Sequence, residues 1–189
     1  MGKVLGIVGS PRRNGNTHVL VEQVLAGAAA RGASGETLLL GDMTIRECDG
    51  CHACWAGKPF PKNDDMNEIY PRIAASSAIV FGTPVYWYGP TALMKAFVDR
   101  LVYFNCPENR NLVRRKAAAL VVPFEEQDAQ TASLLVAMFE RSFGYLEMEL
   151  VGTLLAPGVT KPGEVRQRQD VMAHARRLGE ELGPRAGGA

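Results

Sequence analysis

The amino-acid sequence predicts an α/β fold, a parallel sheet with helices on both faces, built as a single domain over residues 1–182. Three observations carry this. Apolar runs suited to strands recur at residues 3–9, 36–40, 78–83, 117–123 and 150–156. Segments with apolar residues at helical spacing fill the gaps, at 17–31, 65–76, 90–104, 127–144 and 163–182. The strand-like runs are continuous rather than alternating, as strands buried on both faces require. Five strand–helix units in strict succession imply a three-layer arrangement. Ligands of such sheets sit outside the carboxyl ends of the strands, where strand order reverses. The loops after the first, third and fourth strands are therefore the expected functional ones.

The first strand, Val4-Leu5-Gly6-Ile7-Val8, runs into Gly9-Ser-Pro-Arg-Arg-Asn-Gly-Asn-Thr17. The helix that follows carries Val19, Leu20, Val24, Leu25 and Ala28 at helical spacing. A strand, a loop rich in Gly, Ser and Asn, and a helix start form a ready anion site. The loop and first-turn N–H groups lack partners, and the helix dipole favours negative charge there. Ser10, Asn14, Asn16 and Thr17 add side-chain donors, Arg12 and Arg13 add charge, and His18 adds its backbone N–H. A nucleoside-triphosphate loop would read G-x-x-x-x-G-K-[ST]. Here five residues separate Gly9 from Gly15, and Asn16 stands where the Lys would be. The dinucleotide pattern G-x-G-x-x-G fails as well. One terminal phosphate held end-on, as in a mononucleotide such as FMN, fits what remains. The competing reading is a polar turn that binds nothing.

The second and third units hold the other informative stretches. After the second strand comes Cys48-Asp-Gly-Cys51-His-Ala-Cys54-Trp55, then Asp64-Asp65-Met66. After the third strand, Thr83-Pro-Val-Tyr-Trp-Tyr-Gly-Pro90 sets three aromatics between two prolines, with Gly89 permitting a close approach to something flat. Pro90 suits the first turn of a helix whose apolar face is Leu93, Met94, Phe97, Val98 and Leu101. Residues 84–89 (Pro84, Val85, Tyr86, Trp87, Tyr88 and Gly89) are read as lining a ring; a subunit contact is the alternative for the aromatics. The loop after the fourth strand, Pro123-Phe124-Glu125-Glu126-Gln127-Asp128, has two readings. Gln127 and Asp128 open the next helix, where acids suit its positive end. Alternatively, Glu125 or Glu126 sets a carboxylate beside the bound ring and disfavours negative charge on it. His174 falls mid-helix, and no Ser/His/Asp or paired-carboxylate constellation stands out. The last residues, 183–189, are expected to fray.

Composition excludes several classes. The 189 residues suffice for one full core, and the net charge of +1, with no basic run, argues against nucleic acid. No stretch reaches membrane-spanning length, and no charged segment followed by a long apolar core opens the chain. Met1-Gly2 resembles an acylation start, but Gly6 occupies the position that needs Ser or Thr. Four cysteines, three of them clustered, do not look like a secreted disulfide framework. The expectation is a soluble cytoplasmic protein.

Gly9-Ser10-Pro11-Arg12 with Gly15-Asn16-Thr17, Thr83-Pro84-Val85-Tyr86-Trp87, and Lys95-Ala-Phe-Val-Asp-Arg100 together resemble the NAD(P)H-dependent FMN reductases of flavodoxin-like fold. The resemblance implies a five-stranded parallel sheet in the order 2-1-3-4-5, bound FMN, NADPH or NADH as electron donor, and a homodimer or homotetramer. It assigns Ser10, Arg12, Asn16 and Thr17 to the FMN phosphate and the 84–89 loop to the isoalloxazine ring. The cysteine segment resembles the branch that includes iron–sulfur flavoproteins. That branch places a fourth cysteine five to eight residues on, where this chain has Pro59, Phe60, Pro61 and Lys62. A cluster or structural zinc wants four ligands, and the remaining thiol, Cys106, is far along the chain. No iron–sulfur cluster or other metal is therefore expected. The expected activity is hydride transfer from the nicotinamide through flavin N5 to a second acceptor: a quinone, free flavin or small metabolite. A flavodoxin-like electron carrier is the rival, and carriers are expected to be strongly acidic, unlike this chain. No residue is assigned a catalytic role, because the flavin does the chemistry.

Overall fold

The computed structural model of the chain describes residues 2–58, 61 and 63–185. Five strands, β1 (Lys3–Val8), β2 (Ser34–Leu39), β3 (Ala78–Gly82), β4 (Ala117–Pro123) and β5 (Glu149–Ala156), form one sheet. Every pairing is parallel, and the order is β2-β1-β3-β4-β5. The helices are α1 (Asn16–Ala29), α2 (Met66–Ala75), α3 (Ala92–Arg100), the short α4 (Pro107–Arg110), α5 (Ser133–Tyr145) and α6 (Gln169–Arg185).

Two apolar clusters account for the three layers. Val4 and Val8 of β1, Ala78 and Val80 of β3, and Ala119 and Val121 of β4 pack against Val21, Val24 and Leu25 of α1 and Leu178 of α6. Their sheet neighbours Leu5, Ile7, Ile79, Phe81, Leu120 and Val122 face α2, α3 and α5 on the other side. This two-sided burial is why the strand sequences read as unbroken apolar runs. Phe81 is the hub of the second layer, its ring centroid 4.8 Å from Phe143 and 5.8 Å from Phe139. Helices α1 and α6 cross closely: a Cβ on Gly179 would overlap the Val24 carbonyl, so only glycine fits there.

The expected elements are present, with shifts that have physical causes. Strand β2 begins at Ser34 rather than 36, because it is an edge strand paired only with β1 and tolerates the polar Ser34. Helix α3 begins after Thr91, whose hydroxyl accepts the Met94 N–H as an N-cap, so Pro90 lies outside the helix rather than in its first turn. Its expected C-terminal part is a 3₁₀ turn, Leu101–Asn105. Asp128 caps another 3₁₀ turn, Ala129–Ala132, ahead of α5. Helix α6 continues through Arg185, past the expected boundary at 182, while 186–189 lie outside the described residues.

Candidate functional site

Strand order reverses at β1, whose neighbours are β2 and β3, so the loops that leave β1 and β3 lie side by side. The Gly9 N–H donates to the Gly82 carbonyl at 2.8 Å. A Cβ on Gly9 would lie 2.6 Å from Met94 Cβ, so glycine is required for this approach. Thr91 completes the junction. Its hydroxyl donates to the Gly9 carbonyl, and its N–H donates to Thr83 Oγ1 at 3.2 Å. One buried threonine therefore caps α3 and pins the loop after β1.

Above this junction lies an open cleft of about 630 Å³, including solvent at its mouth. One end is polar, lined by Ser10, Arg12, Gly15, Asn16 and Thr17. The other presents Pro84, Val85 and Tyr86 from the loop after β3, with Pro123, Phe124 and Glu125 from the end of β4. Val159, Thr160 and Pro162, after β5, close a third side.

The polar end suits an anion for reasons local to α1. Its N-cap is Gly15, with no capping side chain, and its first turn holds no acidic residue. The N–H groups of Asn16, Thr17 and His18 precede the first intrahelical acceptor, and Val19 is the first to donate back, to Gly15 O. Thr17 is buried and lines this end of the cleft. Buried Ser10 accepts the Arg12 N–H at 3.2 Å and keeps its own proton to donate. Arg12 reaches the rim, with Nη1 3.4 Å from the Thr160 carbonyl. These groups fit a phosphate monoester.

Other candidates occupy different roles. The side chain of Asn16 is engaged at both ends: Nδ2 donates to Lys161 O at 3.1 Å, and Oδ1 accepts the Val165 N–H at 3.1 Å. It ties the loop after β5 to the site, leaving its backbone N–H and the second Nδ2 hydrogen for an anion. Asn14 takes the left-handed backbone of the turn (φ 56°), and its N–H donates to His18 Nδ1 at 3.2 Å. Arg13 turns away to Asp42 in an exposed ion pair, with a closest approach of 2.8 Å. Of the 84–89 loop, Pro84, Val85 and Tyr86 line the cleft, but Trp87, Tyr88 and Gly89 do not. Tyr86 and Gly89 exchange backbone hydrogen bonds, so the chain reverses and carries Trp87 and Tyr88 outward. Gly89 meets nothing that crowds a Cβ, so close approach does not require it. Glu125 lines the cleft, whereas Glu126 lies outside it with its carbonyl bonded to Gly158.

The cysteine segment is held by a buried ion pair. Arg100 of α3 grips Asp64 with two bonds, 2.5 and 3.2 Å, and both side chains are almost wholly buried. Asp64 also accepts the backbone N–H groups of Arg46 and Met66. Burial pushes its carboxyl up, but the Arg100 and backbone hydrogen bonds outweigh that and hold it below the ordinary carboxylate value. Burial pushes the neighbouring Tyr70 phenol up to about 12. Tyr70 donates to the Arg100 carbonyl and stacks on Tyr103, ring centroids 4.0 Å apart. Cys48, Cys51 and Cys54 line a separate cavity with Trp55, Tyr70 and Tyr103. Cys106 is fully buried, donating to Tyr103 O and accepting from Asn109 Nδ2.

The profile described as NADPH-dependent FMN reductase matches residues 2–156. The chain belongs to this family. Among individual relatives, an iron–sulfur flavoprotein of Methanocaldococcus jannaschii is 39% identical over 98 residues, 52% of this chain and 51% of that protein. The chain thus spans about half the length of the first curated relatives it matches. A Bacillus subtilis protein, provisionally described as an NAD(P)H-dependent FMN-containing oxidoreductase, is 27% identical over 93% of this chain and 96% of its own. Among solved structures, the Trp repressor binding protein of Bacillus subtilis superposes with a TM-score of 0.71 at 23% identity, covering 93% of this chain and 98% of that one.

Thr91, Val159, Thr160 and Pro162 carry no role expected from sequence, and Thr83 appears there only as the first residue of the 83–90 stretch. A Thr ahead of the Leu93-Met94-Phe97 stripe is an N-cap signal, so Thr91 was findable as a cap. Its bond to Gly9 was not, since 82 residues separate the partners.

Proposed function

We propose that this chain is an FMN-dependent NAD(P)H oxidoreductase that reduces a small-molecule acceptor such as a quinone, free flavin or a small metabolite. The observation that carries it is the two-ended cleft at the point of strand reversal, rich in hydrogen-bond donors at one end and largely apolar at the other, in a chain of the FMN reductase family. Ser10, Thr17, Arg12 and the α1 N-terminal amides would hold the phosphate. Pro84, Val85 and Tyr86 would flank the isoalloxazine, with Phe124 and Glu125 across the cleft. When bound, FMN supplies the hydride relay between nicotinamide and acceptor. The chain's own residues bind and orient the two partners and tune the local charge. Glu125 is the only carboxylate among the lining residues and opposes negative charge at the ring end.

The iron–sulfur group in the names of several relatives calls for four thiolates, and the clustered segment of this chain supplies three. Burial pushes the Cys54 thiol up, and the fourth thiol, Cys106, lies near enough to add to this electrostatically but is hydrogen-bonded in the core. The described residues hold no other cysteine. Pro59, Phe60 and Lys62 lie outside those residues, but by identity none is a thiol. Iron and acid-labile sulfide content of anaerobically purified protein separates the two readings.

No described helix is long and apolar enough to cross a membrane. A cytoplasmic location and a homodimer or homotetramer are part of the proposal. Phe97 and Phe104 are consumed in the chain's own core, and Tyr103 stacks on Tyr70. Support for assembly comes instead from exposed Leu134 and Tyr145 on α5, with Val98 and Val102 beside Tyr145 in a shallow groove. The deciding experiment is steady-state NADPH oxidation with a quinone. FMN-dependent turnover supports the enzyme, and FMN binding without turnover supports the electron carrier.

A further inference from the structure

We propose that Trp87 is the stacking platform for a planar, uncharged aromatic acceptor at the mouth of the cleft, selecting ring-bearing acceptors over acceptors without a ring. This deepens the reading of the cleft as a flavin site and rests on it. Tyr86 and Gly89 exchange backbone hydrogen bonds of 2.8 and 3.1 Å, closing a two-residue turn. The central residues, Trp87 (φ 50°) and Tyr88 (φ 62°), both have left-handed backbones. Such turns normally carry Asn-Gly or Asp-Gly, since a bulky side chain is strained at positive φ. Here two aromatics bear that strain, and Trp87 does so with almost no packing against the fold: it is 96% exposed, and Tyr88 58%. Strain kept without a stabilising contact points to a ligand rather than to the core.

The turn's position indicates which ligand. Its near arm, Val85 and Tyr86, lines the apolar end of the cleft, so Trp87 stands one residue outside the wall. The segment 84–90, Pro-Val-Tyr-Trp-Tyr-Gly-Pro, carries no charged side chain. It offers flat apolar area and no counter-ion, which matches a neutral conjugated ring. An indole gives large rigid contact area with only two side-chain torsions to order. An acceptor of this class, a naphthoquinone for instance, takes two electrons and two protons to become the hydroquinone. The electrons come from the reduced flavin and originate in the nicotinamide.

The test compares W87A and W87F with wild type, using 1,4-naphthoquinone and ferricyanide as acceptors. With W87A, KM for naphthoquinone rises about fivefold to a hundredfold, the span of one lost aromatic stack. Ferricyanide turnover, KM for NADPH and FMN affinity stay unchanged, and W87F retains most of the naphthoquinone affinity. Independently of turnover, W55F leaves Trp87 as the sole tryptophan of the two in the chain. Oxidised naphthoquinone added without NADPH then quenches its fluorescence saturably. Equal loss with both acceptors, release of FMN, no change in KM, absence of a saturable quench, or a change in oligomeric mass for W87A would each overturn the assignment. Failure of wild type to oxidise NADPH with any acceptor refutes instead the flavoenzyme reading beneath it.

Discussion

Replacing Thr91 by valine removes one hydroxyl and keeps the side-chain shape, at a position 2% exposed. The change deletes the cap on α3, which accepts the Met94 N–H at 3.1 Å. Loss of an N-cap costs about 0.5–2 kcal/mol. It also strands the buried Gly9 carbonyl, and an unsatisfied buried acceptor costs about 1–3 kcal/mol. Together T91V destabilises the fold by about 2–4 kcal/mol, since both losses fall in one network and do not simply add. T91S keeps the hydroxyl and loses one methyl, worth about 1 kcal/mol. Urea unfolding followed by circular dichroism measures both, with the slope unchanged if only stability moved. Because the Gly9 carbonyl opens the phosphate loop, T91V also weakens FMN binding several-fold while T91S does not. A T91V protein within about 0.5 kcal/mol of wild type, with unaltered FMN affinity, would refute the role of Thr91 as the pin between the two loops.

Two further outcomes follow from other parts of the structure. D64N leaves Arg100 buried without its counter-charge and costs about 3–5 kcal/mol at neutral pH, whereas replacing both partners by apolar residues costs less. The folded Asp64 carboxyl lies below its ordinary value, so its contribution is fully present above about pH 4 and is lost as pH falls through the folded value. The acid side of a stability–pH profile checks this, and D64N should flatten it. E125Q raises the bound flavin's two-electron midpoint by on the order of 20 mV, because about 1 kcal/mol of repulsion on the reduced anion disappears. E126Q, outside the cleft, leaves the midpoint where it was, and equal shifts for both would remove the distinction between them.

The fold was legible because the parallel sheet is buried on both faces, and that burial writes five unbroken apolar runs into the chain. The polar end of the cleft was legible for a local reason. Ser10, Arg12 and Thr17 lie within eight residues of one strand–helix junction, so a single stretch displays them together. Asn16 shows where such reading stops. Its amide looks like a phosphate donor in sequence, but the Lys161 carbonyl accepts from it and the Val165 N–H donates to it, and both belong to a loop that only folding brings near. Arg13 beside Arg12 reads as added charge until Asp42 is seen to neutralise it. The direction of Trp87 was hidden for a different reason. Outward projection depends on positive φ at two aromatic residues, a conformation their sequence disfavours. Asp64 and Arg100 each appeared in a recognised stretch, but no spacing rule links positions 36 residues apart.

The most direct measurement is a fluorescence titration of FMN into the apoprotein, with R12A and R13A alongside. Wild type should bind one FMN per chain with a perturbed flavin spectrum. R12A should weaken binding by about tenfold or more, the worth of one charge-assisted contact to phosphate, while R13A, already paired with Asp42, should leave it nearly unchanged. Absence of binding, or equal losses in both variants, would contradict the phosphate cradle on which the assignment rests.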